Sequence, residues 1–239
     1  MSKAIILCAG EGKRLLPLTA KCLKPMLRLK SAPLLEYNIK LLKGYGITDL
    51  AINLHYFPEQ VIRYFGDGSK FGVKLRYSLE NKPLGTAGAL KKIADFFDRT
   101  FVVIYGDLLT DVNLKKMMDF HRFKKGMATV GLYHVNNPTE CGLVGMDQNN
   151  RIKGFVEKPT RKRVFTDIAN AGVYILEPEI IDYIPKNKFY DFGRHLFPKL
   201  LRDKKPLYGY TINEYLIDIG TKEKYKEAKE DFKKGRVKC

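Results

Sequence analysis

The stretch Ala4-Ile-Ile-Leu-Cys-Ala-Gly10-Glu-Gly12-Lys13-Arg14 constrains this chain more than any other. Its short continuous apolar run fits a strand covered on both faces, as in a parallel sheet. The run empties into Gly10 and Gly12, where the missing Cβ permits tight turns and close backbone approach. Such a turn presents amide N–H groups to an anion, and Lys13, Arg14 and Lys24 add formal positive charge. The stretch reads as a cradle for a polyphosphate. A dinucleotide-binding turn needs G-x-G-x-x-G, but Leu15 stands in the third position. A P-loop fails too, because no Gly-Lys-Ser/Thr follows at its spacing. The loop continues to about Met26, and long ordered loops are usually functional.

The rest of the first half alternates strand and helix signals. Pro33 opens a helix through Leu34, Tyr37, Leu41 and Leu42, closed by Gly44 and Gly46. Ile47–Leu54 reads as a strand, and Pro58-Glu59 begins a helix with Val61, Ile62 and Phe65 on its inner face. Val73–Tyr77 alternates as a half-exposed strand. Thr86 is placed to cap a helix running through Leu90, Ile93 and Phe97. Phe101–Tyr105 is a second fully apolar strand, and Leu114–Lys124 a helix. The second half is richer in strands: Ala128–Val135, Leu143–Met146, Ile152–Val156, Asn170–Leu176, Leu207–Thr211 and Tyr215–Ile219. Asp191 precedes one helix, and Tyr225, Ala228 and Phe232 mark another. No internal repeat or interdomain linker interrupts the 239 residues. We expect one domain that changes character between two halves, about 1–125 and about 126–239.

The apolar share of 45% supports a true core, and no run approaches a membrane span. The N-terminus enters a strand at once, so no signal or transit peptide is expected. Cys8, Cys22, Cys141 and Cys239 have neither metal-ligand spacing nor disulfide density, which points to a reducing cytoplasm. A net charge of +17 raises nucleic-acid binding as an option. The cations are scattered, however, in groups such as Arg161-Lys162-Arg163, and no aromatic-plus-basic motif accompanies them. A basic surface around phosphorylated substrates accounts for the same charge; we expect neither a specific nucleic acid nor a membrane as partner.

Several residues carry chemistry on their own physics, each beside a plainer reading. Arg14 and Lys24 suit neutralisation of several phosphate charges, or are solvated surface cations. Asp107 ends an apolar strand, at the sheet edge where open α/β folds bind ligands. Asp111 is a helix cap or turn former. Asp218 repeats the arrangement of Asp107, and two such carboxylates could converge on one hard cation. Glu80, Gly85 and Thr86 offer a carboxylate and backbone N–H groups to a base edge, or form a turn with a cap. Glu157 and Asn170 suit hydroxyl recognition, Lys158 a phosphate and Gly142 close backbone approach to a ring, or Glu157-Lys158 is a solvated face. His55, His121, His134 and His195 show no metal or triad spacing and read as structural or surface residues.

Gly10-x-Gly12-x-Arg14-Leu-x-Pro17-Leu-Thr19 followed by Lys24-Pro25-Met26 resembles the opening of the sugar-1-phosphate nucleotidyltransferases. The resemblance extends through Pro83-Leu-Gly85-Thr86-Ala-Gly88, Tyr105-Gly-Asp107, Gly142-Leu-Val, Phe155-Val-Glu157-Lys158-Pro159, Asn170-Ala-Gly172-Val-Tyr and Asp218-Ile-Gly220-Thr221, in the family's order. It covers nearly the whole chain and is nearest the mannose-1-phosphate guanylyltransferase branch.

That resemblance implies a Rossmann-like three-layer α/β/α fold with a central mixed, mostly parallel sheet. It implies catalytic roles for Arg14 and Lys24, and a nucleotide site of Leu7, Ala9, Gly10, Gly12, Lys13, Glu80, Gly85, Thr86 and Asp107. The sugar phosphate falls to Gly142, Glu157, Lys158 and Asn170, and a Mg²⁺ cofactor to Asp107 and Asp218. Ala9 replaces a common glycine, Lys13 a usual threonine, Leu23 a proline and Ile217 a frequent aromatic; none removes a charged catalytic group. The chain stops soon after Asp218, so the C-terminal β-helix of longer relatives is not expected. The implied activity joins an NTP, GTP first, to a mannose-like or heptose 1-phosphate, with release of pyrophosphate; a homodimer is one assembly it allows. UTP, dTTP or CTP with another sugar phosphate is the first alternative, and a non-sugar phosphate acceptor another. A catalytically silent, nucleotide-sugar-binding subunit is a third, against which the intact Arg14, Lys24, Asp107 and Asp218 argue.

Overall fold

The computed structural model describes residues 2–237, so Cys239 lies outside the described residues. In chain order the first strands are β1 (Lys3–Leu7), β2 (Arg28–Leu29), β3 (Ala32–Pro33), β4 (Asp49–Leu54), β5 (Lys74–Leu79), β6 (Phe101–Tyr105) and β7 (Leu108–Thr110). They are followed by β8 (Ala128–His134), β9 (Gly142–Met146), β10 (Ile152–Glu157), β11 (Ile168–Leu176), β12 (Leu207–Thr211) and β13 (Leu216–Asp218). The α-helices are α1 (Leu34–Gly44), α2 (Pro58–Phe65), α3 (Gly85–Lys92), α4 (Leu114–Lys124), α5 (Phe197–Arg202) and α6 (Lys222–Lys233). Parallel and antiparallel ladders with helices make this the mixed α/β architecture that the sequence implies.

The residues gather into two compact units, each assembled from separate pieces of chain. The first holds the chain up to Pro83, then Ile104–Val112, then everything from Glu214. Here β4 runs parallel to both β1 and β5, with Ala51 opposite Ile5 on one side and Arg76 on the other. Ala4, Ile5, Ile6, Leu50, Ala51 and Ile52 are fully buried, as a strand with two covered faces requires. β5 exposes Lys74, Arg76 and Leu79, so it is the half-solvated strand its alternation implied. In α2, Val61 and Phe65 are buried, but Ile62 is 38% exposed. The two buried residues, four apart, form a narrow stripe, and Ile62 lies about 100° around the helix from Val61.

Also in the first unit, β7 and β13 pair antiparallel, with Leu109 opposite Ile217 and Leu108 opposite Asp218. Leu15, Leu27, Leu29, Leu34, Leu109, Ile217, Ile219 and Ala228 form one buried apolar cluster. Each leucine or isoleucine among them contributes roughly 1.5–3 kcal/mol on full burial. Their sequence positions matter for function, since Leu15 follows Arg14 and Ile217 and Ile219 flank Asp218. The charged residues are thereby mounted on the cluster's anchors.

The second unit holds Leu84–Val103 and Asn113–Asn213. β9 pairs antiparallel with β10, β11 antiparallel with β8, and β12 parallel with β8. Gly142 faces Glu157 across the first ladder, while Ala169 faces Leu143 across another. The helix expected to run through Phe97 stops at Lys92, where Ile93 leaves helical dihedrals and a 3₁₀ turn follows. That break lets Phe97 stack on Phe101, ring centroids 4.0 Å apart. Asn113, not Asp111, caps α4, accepting from the Lys116 N–H. His121 is buried between Thr129 and Glu177, the structural role read from sequence.

Candidate active site

In the first unit, three charged residues far apart in sequence meet at one point. Lys24 lies in a 3₁₀ turn, Lys24–Met26, and only 7% of its surface is exposed. Its Nζ donates to Asp107 Oδ2 at 2.5 Å and to Asp218 Oδ1 at 3.4 Å. Asp107 occupies the turn between β6 and β7, and Asp218 ends β13. The β7–β13 ladder sets the two carboxylates side by side, reinforced by the Ile219 N–H donating to the Asp107 carbonyl at 3.0 Å. Tyr215 N–H donates to Asp111 Oδ1 at 2.7 Å, so Asp111 fastens the far end of the same ladder.

The electrostatics follow from this crowding. Burial pulls the Lys24 ammonium down, but Asp107 and Asp218 outweigh it and hold its pKa above the ordinary lysine value. Crowding by surrounding protein raises the Asp218 carboxyl, Asp107 raises it further, and Lys24 and Arg14 pull the other way. The Asp218 side chain nevertheless keeps 49% of its surface accessible, so a ligand can reach it. Two carboxylates on one ammonium are hard oxygen donors, a set that fits Mg²⁺ when phosphate oxygens complete its shell. Among the described residues, no group of three or more His, Cys, Asp or Glu gathers as metal ligands.

The glycine loop is held from behind. Gly12 adopts φ +71°, and a Cβ there would lie 3.1 Å from Thr19 Cγ2 and 3.3 Å from Lys24 Cβ. Thr19 Oγ1 donates to the Gly12 carbonyl at 2.9 Å. Glycine is thus required both by conformation and by the approach of the Lys24 turn. Arg14 stands in the next 3₁₀ turn, Lys13–Leu15. Lys13 is exposed and paired with Glu11 at 3.0 Å. Leu7 accepts the Gly106 N–H at its carbonyl, which fixes the start of the turn bearing Asp107. Ala9 and Gly10 follow β1 in open loop, and nothing lies within 4 Å of where a Gly10 Cβ would be. Glu80 is 4% exposed and accepts from Asn53 Nδ2 at 2.8 Å, while Asn53 Oδ1 accepts the Cys8 N–H.

The second unit brings the other candidates into two neighbouring groups. Gly85 has φ +77°, and a Cβ on it would meet the Tyr190 carbonyl oxygen at 2.5 Å. Thr86 does not cap α3, whose N-cap is Leu84 without a side-chain bond. Its hydroxyl donates to Asp191 Oδ2 at 2.9 Å and accepts the Phe192 N–H at 3.0 Å, which draws it away from the helix end. Glu157 lies where Cβ atoms on Gly142 and Gly193 would fall, within 2.5 Å and 2.6 Å of its Oε2. Burial raises the Glu157 carboxyl and Asp191 adds to this, against Lys158 and Arg194. Asn170 is oriented by donating to Tyr174 OH at 2.8 Å and accepting the Gly172 N–H at 3.2 Å. Lys158 has φ +48°, and its N–H donates to the Cys141 carbonyl. Arg161–Arg163 form an exposed 3₁₀ turn.

Sequence reasoning missed Gly220, Gly193 and Asn53. A Cβ on Gly220 would sit 2.9 Å from Arg14 Nη2 and 3.1 Å from both Asp218 carboxylate oxygens. Gly220 and Asn53 act through neighbours distant in sequence; the one available signal was Gly220 within its Asp-Ile-Gly-Thr motif.

The nucleotidyl transferase family model matches residues 3–235. A UTP–glucose-1-phosphate uridylyltransferase from Synechocystis is 39% identical over 240 residues, covering 95% of this chain and 62% of its own. A mannose-1-phosphate guanylyltransferase from Mycobacterium tuberculosis is 35% identical over 234 residues, covering 97% and 65%. The chain therefore spans less than two thirds of the length of these curated relatives. A solved structure described as a candidate glucose-1-phosphate thymidylyltransferase from Bacillus anthracis, in complex with sucrose, is similar with a TM-score of 0.87. Its identity is 26%, covering 96% of this chain and 94% of that one. Among the described residues, no helix is long and apolar enough to cross a membrane.

Proposed function

Because this chain belongs to the nucleotidyl transferase family, we propose that it transfers a nucleoside monophosphate from an NTP to a sugar 1-phosphate. The observation that carries the reading is the buried Lys24 ammonium held on Asp107 and Asp218, with Arg14 beside Asp218. An oxygen of the sugar phosphate attacks the α-phosphorus in line. The bond from that phosphorus to the oxygen bridging the α- and β-phosphates breaks, and pyrophosphate leaves with the electron pair. Lys24 stabilises charge at the α-phosphoryl oxygens, and Arg14 takes the charge of the departing diphosphate. Fixed cations of this kind gain strength where water is excluded, and positioning does most of the work in phosphoryl transfer. Asp107 and Asp218 would hold Mg²⁺, which when bound neutralises phosphate charge.

In the second unit, Glu157 and Asn170 accept from or donate to sugar hydroxyls, Lys158 meets the sugar's phosphate, and Gly142 leaves room for the Glu157 carboxylate. GTP with a mannose-like 1-phosphate is the pair we place first, following the sequence motifs. The relatives' names span uridylyl, guanylyl and thymidylyl transfer, so base and sugar are assigned by experiment. A matrix of GTP, UTP, dTTP, CTP and ATP against hexose and heptose 1-phosphates, with Mg²⁺, is scored by pyrophosphate release. We expect one pair to dominate. Absence of release in every cell would overturn the proposal.

A further inference from the structure

The second unit contains a linkage that none of the assigned roles requires. Segment Leu84–Gly88, the base-side candidate, is joined to Tyr190–Phe192 by a dense set of hydrogen bonds. Tyr190 N–H donates to the Leu84 carbonyl at 2.8 Å, and the Tyr190 carbonyl accepts from Ala87 N–H at 3.0 Å and Gly88 N–H at 2.9 Å. The side chains of Thr86 and Asp191 close the set at 2.9 Å, with the Phe192 N–H completing the Thr86 hydroxyl at 3.0 Å. Gly85 permits this contact only because it lacks a Cβ against Tyr190.

Asp191 also faces the sugar-side candidates. Its Oδ1 accepts from Gly193 N–H at 3.0 Å and Arg194 N–H at 3.2 Å, fixing the start of the π-helical turn Phe192–Leu196. Gly193 is the residue whose absent Cβ leaves space for Glu157 Oε2. One carboxylate thus grips the base-side segment with one oxygen and the wall beside Glu157 with the other. Asp191 N–H donates to His195 Nδ1 at 3.0 Å, which further limits how the turn can move.

We propose that Asp191, through Thr86, is a positioning residue that couples nucleotide recognition to sugar recognition. The inference rests on the nucleotidyl-transfer reading and assigns these two residues a role toward both substrates. A displacement of Leu84–Gly88 on nucleotide binding is transmitted through the Thr86–Asp191 bond to Gly193 and so to Glu157. Thr86 contributes only its hydroxyl to the link, so removing that group while keeping the shape isolates the effect.

The test uses the full chain with the active substrate pair from the matrix, comparing wild type, Thr86→Val, Thr86→Ser and Asp191→Ala. Thr86→Val removes both hydrogen bonds of the hydroxyl, and we expect it to raise KM for both the NTP and the sugar 1-phosphate by roughly tenfold, the equivalent of about 1.4 kcal/mol. Thr86→Ser restores both values, and Asp191→Ala added to Thr86→Val produces less than the product of the single effects. A shift confined to one substrate's KM, or multiplicative effects in the double variant, would overturn the coupling. A lowered melting temperature with both KM values unchanged would show a merely structural bond and overturn it equally. Inactive wild type across the whole matrix would instead refute the underlying activity.

Discussion

The two units build their candidate sites by opposite means. In the first, an ammonium that is almost entirely buried sits between two carboxylates, and the cluster is defined by charge. In the second, a raised carboxyl, Glu157, sits where two glycines leave space, and the cluster is defined by shape and hydrogen-bond direction. Buried charges are tolerated only where they are paired, so the first arrangement holds Asp107 and Asp218 tightly around the Lys24 ammonium. Polar groups placed by packing, as Glu157 is between Gly142 and Gly193, suit discrimination of hydroxyls by what would be left unpaired. On the proposed function, the first unit carries the chemistry and the second the selection.

The largest expected effects fall on the charge cluster. Asp107→Asn and Asp218→Asn each preserve shape, remove one negative charge and lower turnover by roughly a thousandfold, read as pyrophosphate release. Lys24→Met follows, with a loss of roughly 10²–10³ in kcat. It also lowers stability by about 2 kcal/mol at neutral pH, because two carboxylates lose their shared donor. The folded pKa of Lys24 is raised, so this contribution is fully present below the unfolded lysine value and is lost as pH rises through the folded one, above about pH 10. Denaturant unfolding at pH 7 and pH 11 should therefore show a narrowing gap between wild type and Lys24→Met.

Gly220→Ala comes next. Its new Cβ must push the flexible Arg14 guanidinium and Asp218 aside, and we expect roughly a tenfold fall in kcat with little change in melting temperature. The smallest effect belongs to the second unit. Burial holds the Glu157 carboxyl above the ordinary glutamate range. A carboxyl raised on folding favours the native state at low pH and loses that advantage as pH climbs through the folded pKa. Glu157→Gln has no such penalty, so its stability relative to wild type should improve as pH rises past the ordinary glutamate value. A flat difference across that range would contradict the burial argument.

The same contrast explains what the sequence disclosed. Strand ends were legible because β1 and β6 are continuous apolar runs, and Asp107 stands two residues beyond one of them. Asp218 was legible as a carboxylate at the end of an expected strand, whereas its ladder partner β7, only three residues long, left no local trace. Thr86 looked like a helix cap, and its engagement with Asp191, 105 residues away, has no local signature. Gly220 and Gly193 were visible as glycines but not as spaces filled by Arg14 and Glu157. Patterns along the chain report burial and turns; contacts made through space by small residues do not register in them.

The most direct measurement is a side-by-side determination of kcat and sugar-phosphate KM for Asp218→Asn and Glu157→Gln with the active substrate pair. We expect Asp218→Asn to lose its activity in kcat with KM little changed, and Glu157→Gln to raise KM by roughly tenfold while keeping most of its kcat. The reverse pattern, with Asp218→Asn impaired only in KM and Glu157→Gln only in kcat, would contradict the division of chemistry and selection between the two units.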